Sequence, residues 1–437
     1  MQTLKREIGL PGAVVIGLGS ILGTGVFVSI ALAAEIAGPA ILPAVLFAGL
    51  MASLNGFSSA ALATAHPVSG GTYEYGYTFV HPAVGFTAGW MFLVAKGASA
   101  ATAALGFAGY FWSAVGPAVG IGLTDSGAPE STRLTVFSAI VLVAFLTALV
   151  ALGVRRSNRA NAAIVVVTLA TLVFFIAVSI GSAIQSAPEA FTRFMPSEGA
   201  PALLHATALV FVAFTGYGRI ATLGEEVRDP GRTIPRAVVV TLSVTVALYA
   251  LVAFTGFAAV PSPVEGLQTK SGAVAPLAAR AGQLVGTPGL VVLSLGAITA
   301  MTGVLLNLIL GLSRVVLAMG RRGDLPAIFD RLDRDGRTPI FAVWLVGFAV
   351  AALTLIGDVR TTWSFSAFTV LIYYAITNLA ALRLPDERRI VSKWVPALGL
   401  IGCLVPAFFV EPVVWLSGLG LIALGLVWHF ARASYRR

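Results

Sequence analysis

Charged residues are scarce in this chain. Asp, Glu, Lys and Arg together make up 11% of its 437 residues, whereas 57% of them are hydrophobic. The mean hydropathy is +0.92. An ordinary soluble domain carries about 25% charged residues, so this composition excludes a soluble globular protein. We therefore expect the chain to lie in a lipid bilayer.

Cysteine and histidine are also rare. The single cysteine, Cys403, excludes an intrachain disulfide. The four histidines, His66, His81, His205 and His429, are scattered without the spacing of a metal site. The apolar segments show no nucleophile or carboxylate pair, so a membrane-embedded enzyme is not expected. We predict no catalytic residue, no metal and no cofactor.

Long apolar runs dominate what is present. A helix needs about 20 apolar residues to cross a bilayer, and membrane strands would need alternating polarity, which is absent. Twelve transmembrane helices are predicted, near residues 10-35, 40-64, 84-112, 134-153, 160-182, 202-224, 236-260, 288-318, 339-356, 362-383, 394-410 and 413-431.

Basic residues predict the orientation of these spans. With a cytoplasmic N-terminus, 21 of the 28 Lys and Arg residues fall on the cytoplasmic side, five fall outside, and Lys96 and Arg219 lie within spans. The positive-inside rule then places both termini in the cytoplasm of a multi-pass protein of the cytoplasmic (inner) membrane. Short basic loops explain the net charge of +9, so nucleic-acid binding is not expected.

The spans are expected to form one integral membrane domain, whose oligomeric state the sequence leaves open. Residues 1-184 hold spans 1 to 5, residues 200-384 hold spans 6 to 10, and residues 393-437 hold two peripheral helices. Because five is odd, two like units in series face opposite ways. This arrangement is an inverted repeat.

Glycine interrupts the first and the sixth span. The sequences are Gly19-Ser-Ile-Leu-Gly-Thr-Gly25 and Phe211-Val-Ala-Phe-Thr-Gly-Tyr-Gly218. Glycine costs roughly 0.5 to 1 kcal/mol relative to Ala inside a helix, and freed backbone groups in hydrocarbon need other partners. Paired interruptions therefore indicate a transporter's binding site. Close helix packing is the alternative, since Gly19 and Gly23 have the spacing that lets membrane helices approach.

Interrupted helices offer backbone groups to a ligand. Free N–H groups at the start of a half-helix favour an anion such as a carboxylate, and we expect them at Gly23, Thr24 and Gly25. Free carbonyls at the end of a half-helix favour an ammonium group or a small cation. The candidate carbonyls are those of Ile21, Val212, Ala213 and Thr215. A zwitterionic amino acid satisfies both ends.

Several motifs resemble a known family. They are Gly19 to Phe27, Ala37 to Ala40, Pro67 to Tyr75, Phe211 to Gly218 with Glu225 to Pro235, and Arg314 to Pro326. With these motifs in order, the chain resembles the amino acid, polyamine and organocation (APC) transporter superfamily over essentially its whole length. The resemblance implies an all-α, leucine-transporter-type membrane fold of twelve helices, with a 5+5 inverted repeat, broken helices 1 and 6, and two peripheral helices.

The resemblance also implies a substrate site. The carboxylate meets Thr24 and Gly25, and the ammonium group meets the four carbonyls named above. Family members often carry a bulky aromatic gate where this chain has Val212. That departure predicts a roomier or differently gated pocket. The residues that could take over the gate, or simply pack, are Phe211, Phe214 and Tyr217, which flank Gly216 in the same interruption.

Energy coupling is a second departure. Some proton-coupled relatives resemble this chain around Gly153-Val154, Ser157 and Asn161, but carry a lysine where Thr168 stands here. Instead, Lys96 lies near the middle of the third span, where a charged amine is costly and usually functional. Lys96 either replaces the missing lysine as the proton site or acts as a permanent structural cation that mimics sodium.

Acidic residues are absent from the central stretches of spans 1, 3, 6 and 8, so a cationic side chain would lack a counter-ion. We therefore predict a secondary active transporter of neutral amino acids with broad specificity, working by alternating access as a proton symporter. The alternatives are an exchanger or facilitator, a polyamine or organocation carrier, and a channel or sensor on the same fold.

Overall fold

A computed structural model describes residues 8–66, 70–119, 129–153, 158–193, 199–221, 227–259, 275–333 and 338–435. Every regular element in these ranges is helical, and the only bridge between extended residues there pairs Ile8 with Val227. The predicted all-α class is therefore confirmed for the described residues. Parts of the quoted sequence motifs, at 67–69, 154–157 and 225–226, lie outside them.

The described ranges form sixteen α-helices, with short 3-10 or π-helical turns at several junctions. They are α1 Leu10–Ile21, α2 Ile30–Ala37, α3 Ile41–Ala65, α4 Thr72–Phe79, α5 Pro82–Val115, α6 Pro129–Ala151, α7 Asn158–Ala190, α8 Ala200–Phe214, α9 Gly218–Ala221, α10 Pro230–Ala253, α11 Pro276–Val285, α12 Thr287–Arg322, α13 Ile340–Thr354, α14 Val359–Leu382, α15 Trp394–Ala407 and α16 Pro412–Tyr435.

The long helices have the length and composition to cross a membrane. Nine stretches of the described chain qualify, and the first, Leu10–Ala65, is 56 residues long and contains two of the predicted spans. These two spans are separated at Gly38, whose positive φ of 56° ends α2. α13 and α15 are shorter apolar helices. The protein is a multi-pass membrane protein, and twelve crossings in a 5+5 topology stay a prediction, because length and composition measure only the capacity to cross.

Small residues let the central helices pack closely. α5 packs along α12 and α14, while α3 packs against α8 and α10. The middle of α5 is rich in buried alanine, including Ala98, Ala100, Ala101, Ala103 and Ala104. Small side chains allow membrane helices to approach, and association in lipid depends on such packing. α5 thereby lies against both α12 and α14, and α8 packs in turn against α14.

Two connectors predicted between spans contain helices of their own. α4 packs against α5 and α14, and α11 packs against α12 and α7. Both are shorter than a span, so a search for long apolar runs does not find them. α7 is longer than its predicted span and continues to Ala190, beyond the proposed boundary at residue 184. The division into two repeats remains a prediction.

Candidate functional site

The first predicted interruption is present in the structure. α1 ends at Ile21, and Leu22 takes an extended conformation with ψ of 102°. The N–H groups of Val26 and Phe27 both donate to Gly23 O, at 3.2 and 3.4 Å, and a π-helical turn then runs over Gly25–Ser29. The N–H groups of Thr24 and Gly25 therefore precede the first backbone bond of the second half-helix.

The second interruption is tighter. α8 ends at Phe214, a 3-10 turn covers Thr215–Tyr217, and the four-residue α9 follows. The N–H of Thr215 donates to Val212 O, and its hydroxyl donates to the same carbonyl at 2.7 Å. The helix is narrowed here rather than opened, because i to i+3 bonds replace i to i+4 bonds.

Glycine allows the two interruptions to touch. A Cβ at Gly216 would collide with the backbone carbonyl of Ser20, and one at Gly25 would lie 2.5 Å from the Cβ of Ala213. Gly25 and Gly216, which belong to the interruptions, are thus also the residues at which the two helices pack closely. The two interpretations of the glycine clusters are compatible, since the close approach brings the freed backbone groups of both helices together.

One small cavity lies between the interruptions. The predicted site residues that line it are Ile21, Thr24, Gly25, Lys96, Val212, Ala213, Thr215 and Gly216. The other lining residues, which the sequence did not identify, are Ser20, Ser99, Val304, Leu308 and Trp363. Helical spacing could have suggested some of them, because Ser99 follows Lys96 by three residues and Val304 precedes Leu308 by four.

Lys96 joins the third predicted span to the second interruption. Its Nζ donates to Thr215 Oγ1 at 2.7 Å. Thr168, the position where relatives carry a lysine, is fully buried and its hydroxyl donates to Ile164 O within its own helix. Of the two coupling candidates, the structure thus places only Lys96 at the cavity. The described residues that line this cavity include no carboxylate.

Buried tyrosines serve the carbonyls of both interruptions. The Tyr249 hydroxyl lies 3.0 Å from Ile21 O and 3.4 Å from Ala213 O. The Tyr374 hydroxyl donates to Thr215 O at 3.0 Å. A carbonyl oxygen has two lone pairs, and Thr215 O also accepts from the backbone N–H of Gly218, so both of its lone pairs have donors. These tyrosines could have been suspected from their position, since a buried tyrosine in an apolar span needs a partner for its hydroxyl.

The predicted aromatic gate residues pack behind the interruption. Phe214 contacts Tyr249 with ring centroids 5.0 Å apart, and Tyr217 contacts Tyr374 at 5.3 Å. Neither they nor Phe211, nor Gly23 of the first interruption, is among the residues that line the cavity. The aromatic side chain that does line it is Trp363, whose Nε1 donates to Leu209 O at 2.9 Å.

Comparison with known proteins agrees with this architecture. The family model described as Amino acid permease matches residues 12–432. An uncharacterized transporter of Mycobacterium tuberculosis is 39% identical over 99% of this chain and 93% of the relative. The methylthioribose transporter of Bacillus subtilis is 29% identical over 98% and 94% of the two chains. The branched-chain amino acid permease of Bacillus subtilis is 28% identical over 98% and 93%.

The resemblance inferred from the motifs is therefore confirmed along the length of the protein. The family match spans both helix interruptions and all of the residues that line the cavity. The chain belongs to the amino acid permease family of membrane transporters, within the APC superfamily.

Proposed function

We propose that this protein carries neutral amino acids across the cytoplasmic membrane by alternating access, with both termini in the cytoplasm. The observation that carries the proposal is the cavity between the two helix interruptions, which Lys96 also lines. At the contact of two broken helices, the ends of the half-helices direct their backbone dipoles at a ligand. Such a site opens to one side of the membrane or the other when one group of helices tilts against the rest. The ligand is gripped mainly through atoms that all amino acids share, so specificity is broad.

The substrate carboxylate is assigned to the first interruption. The N–H groups of Thr24 and Gly25 point out of the start of a half-helix, where the helix dipole favours negative charge. The hydroxyl of Thr24 is buried and has no hydrogen-bond partner among the described residues. These donors together form a cradle for a carboxylate.

The substrate ammonium is assigned, as the family resemblance implies, to the carbonyls of Ile21, Val212, Ala213 and Thr215. The substrate side chain then faces Val304, Leu308 and Trp363. This wall is apolar, which supports neutral substrates over a polyamine or another organic cation, because a buried cation needs a counter-charge. A relative named as a branched-chain amino acid permease agrees with that choice.

Coupling to protons is assigned to Lys96. A charged ammonium within a membrane domain is costly, so its protonation is sensitive to whether the cavity faces water. The bond from Lys96 to Thr215 links that protonation to the helix that holds half of the substrate site. A permanently charged Lys96, acting as a structural cation in an exchanger or facilitator, is the competing assignment.

Reconstituted protein distinguishes these assignments. Liposomes containing purified protein are loaded with buffer, and uptake of labelled leucine is measured with and without an inward proton gradient, and again with sodium. We expect saturable uptake, counterflow, and accumulation that follows the proton gradient alone. Flux without saturation would indicate a channel, and equal uptake without a gradient would indicate a facilitator.

The Lys96→Met variant tests the coupling residue. It should bind leucine but fail to accumulate it when a proton gradient is applied, because no group in the cavity then exchanges a proton. Thr168→Ala is the matched control and should accumulate leucine normally, since the Thr168 hydroxyl bonds only within its helix. Unchanged accumulation by Lys96→Met would reject the coupling role.

A further inference from the structure

The cavity is unbalanced in charge. Lys96 contributes an ammonium group, and the remaining lining residues in the described chain are apolar or carry hydroxyls. A zwitterion has no net charge, so it leaves this imbalance unchanged. A ligand with one net negative charge would neutralise the positive charge of Lys96, so the site should also accept ligands of that charge.

The acceptors expected to hold a ligand ammonium already have donors. Val212 O accepts from the Thr215 hydroxyl, and Thr215 O accepts from the Tyr374 hydroxyl. Lys96 Nζ lies 2.7 Å from Thr215 Oγ1, at the interruption where the ligand ammonium would bind. Two ammonium groups brought close together in a medium of low dielectric constant repel each other strongly.

The donors expected to hold a ligand carboxylate, in contrast to these acceptors, include a hydroxyl that has no hydrogen-bond partner in the described structure. Thr24 is only 3% exposed and lines the cavity, and its hydroxyl lacks a partner in the described structure. The adjacent N–H groups of Thr24 and Gly25 precede the first backbone bond of their half-helix. A buried polar group without a partner is costly, so this end of the cavity favours an anionic group.

We propose that the site also binds and carries small carboxylates that lack an α-ammonium group, namely 2-oxo acids with the carbon skeleton of a neutral amino acid. The carboxylate occupies the cradle at Thr24 and Gly25, and the Lys96 ammonium supplies the positive charge that an amino acid brings with it. The 2-oxo oxygen accepts a hydrogen bond from Lys96 Nζ, which lies at the interruption where the ammonium of an amino acid would have bound. This assignment rests on the proposed function only in taking this cavity as the transport site.

Competition against leucine uptake tests the assignment. Wild-type protein in liposomes is challenged with 4-methyl-2-oxopentanoate, which has the leucine skeleton without the ammonium, and with 3-methylbutylamine, which has the ammonium without the carboxylate. We expect the 2-oxo acid to inhibit at concentrations within about tenfold of those at which leucine itself does, whereas the amine is at least ~100-fold weaker. Labelled 2-oxo acid should also enter the liposomes.

Lys96 variants identify the group responsible. In purified Lys96→Met, displacement of bound labelled leucine by the 2-oxo acid should weaken by about 30-fold or more, whereas leucine itself should bind at least as tightly as it binds wild type, because the repulsion from Lys96 is gone. Lys96→Arg keeps the positive charge and should retain binding of the 2-oxo acid. Monodisperse elution of each variant establishes that it is folded. Equal displacement of bound leucine by the 2-oxo acid from wild type and from Lys96→Met would overturn the assignment, and so would a 2-oxo acid that fails to inhibit leucine uptake by wild type.

The same experiment separates this inference from the proposed function. If leucine is carried but the 2-oxo acid neither inhibits nor enters, only the inference fails. If leucine is not carried, direct binding of labelled 2-oxo acid to purified protein decides. Binding that disappears in Lys96→Met supports the inference while the amino acid assignment fails, and no binding of either ligand overturns both.

Discussion

The two helix interruptions differ in which backbone groups they leave free. At the first, the helix stops at an extended Leu22 and resumes with a π-helical turn, which leaves N–H groups at the start of the second half-helix without intrahelical partners. The second tightens into a 3-10 turn, and side-chain hydroxyls and Lys96 surround its carbonyls and Thr215. One interruption is therefore a donor site with fixed geometry, and the other is an acceptor site whose charge depends on neighbouring side chains.

The contact between the interruptions should be the most sensitive feature. Gly216→Ala places a methyl group against the Ser20 carbonyl, which is backbone and cannot move aside cheaply. Overpacking of this kind costs about 1 to 3 kcal/mol, and we expect leucine uptake to fall by roughly tenfold or more. Initial uptake rates in liposomes, normalised to the amount of inserted protein, provide the measurement.

Gly311→Ala is the control for this substitution. It lies within α12, and a Cβ there would meet nothing within 4 Å. It should stabilise the helix by about 0.5 to 1 kcal/mol, and uptake should be unchanged. Similar losses in both variants would show that any added methyl group impairs transport and that the contact between the interruptions is not special.

Tyr249 is the side chain that serves both interruptions. Tyr249→Phe removes the hydroxyl that lies 3.0 Å from Ile21 O and 3.4 Å from Ala213 O. A buried acceptor left without a partner costs about 1 to 3 kcal/mol, so thermal stability in detergent and leucine affinity should both decrease. Both can be measured on the same purified sample.

Tyr75→Phe is the matched control for Tyr249→Phe. The Tyr75 hydroxyl is buried and has no partner among the described residues, so its removal should be neutral or stabilising. If Tyr75→Phe destabilises as much as Tyr249→Phe, the hydroxyl bonds at the interruptions are not the cause.

Ser29 joins the half-helix that follows the first interruption to α8, the half-helix that precedes the second. Its hydroxyl donates to Leu209 O at 2.9 Å, a carbonyl that also accepts from Trp363. Because Trp363 still serves that carbonyl, Ser29→Ala should lower stability by only about 0.5 to 1 kcal/mol. Ser53→Ala, which removes a hydroxyl bonded within its own helix, is the control for a thermal-shift comparison and should have a smaller effect.

The smallest expected effect is at the end of α8 that lies away from the second interruption. Glu411 Oε2 lies 3.5 Å from His205 Nε2, and Arg360 Nε lies 3.5 Å from Glu411 Oε1. Burial alone would raise the pKa of Glu411, but the neighbouring His205 side chain and the Glu411 backbone together outweigh it and lower the pKa to about 2. The contribution of Glu411 to stability is therefore present above its ordinary pKa of 4.5 and is lost as the pH falls toward 2.

Thermal unfolding of wild type and Glu411→Gln tests this dependence. Wild type should be the more stable protein at pH 6, and the gap should narrow as the pH is lowered below 4.5. A gap that widens on acidification would contradict the assigned direction. Since all three side chains are partly exposed, high salt should also reduce the difference.

Much of the fold follows from local features of the sequence. The apolar runs predict the long helices, and the glycines at Gly23 to Gly25 and at Gly216 predict where two of them are interrupted. α4 and α11 are not predicted, because their short helices form against neighbours and have no run long enough to cross a bilayer. For the aromatic residues near Gly216 the sequence leaves open a gate or simple packing, and in the structure they are not among the residues that line the cavity.

What the sequence determined by itself is the environment of the chain, the run of helices, the two interruptions and the backbone chemistry they offer, because these depend on composition and on residues close together in the chain. Only the tertiary structure decided that Lys96 meets Thr215, that Tyr249 and Tyr374 serve the freed carbonyls, and that Thr168 lies apart from the cavity. These contacts join residues more than 100 positions apart, and they depend on how helices pack around small side chains, which no local pattern encodes.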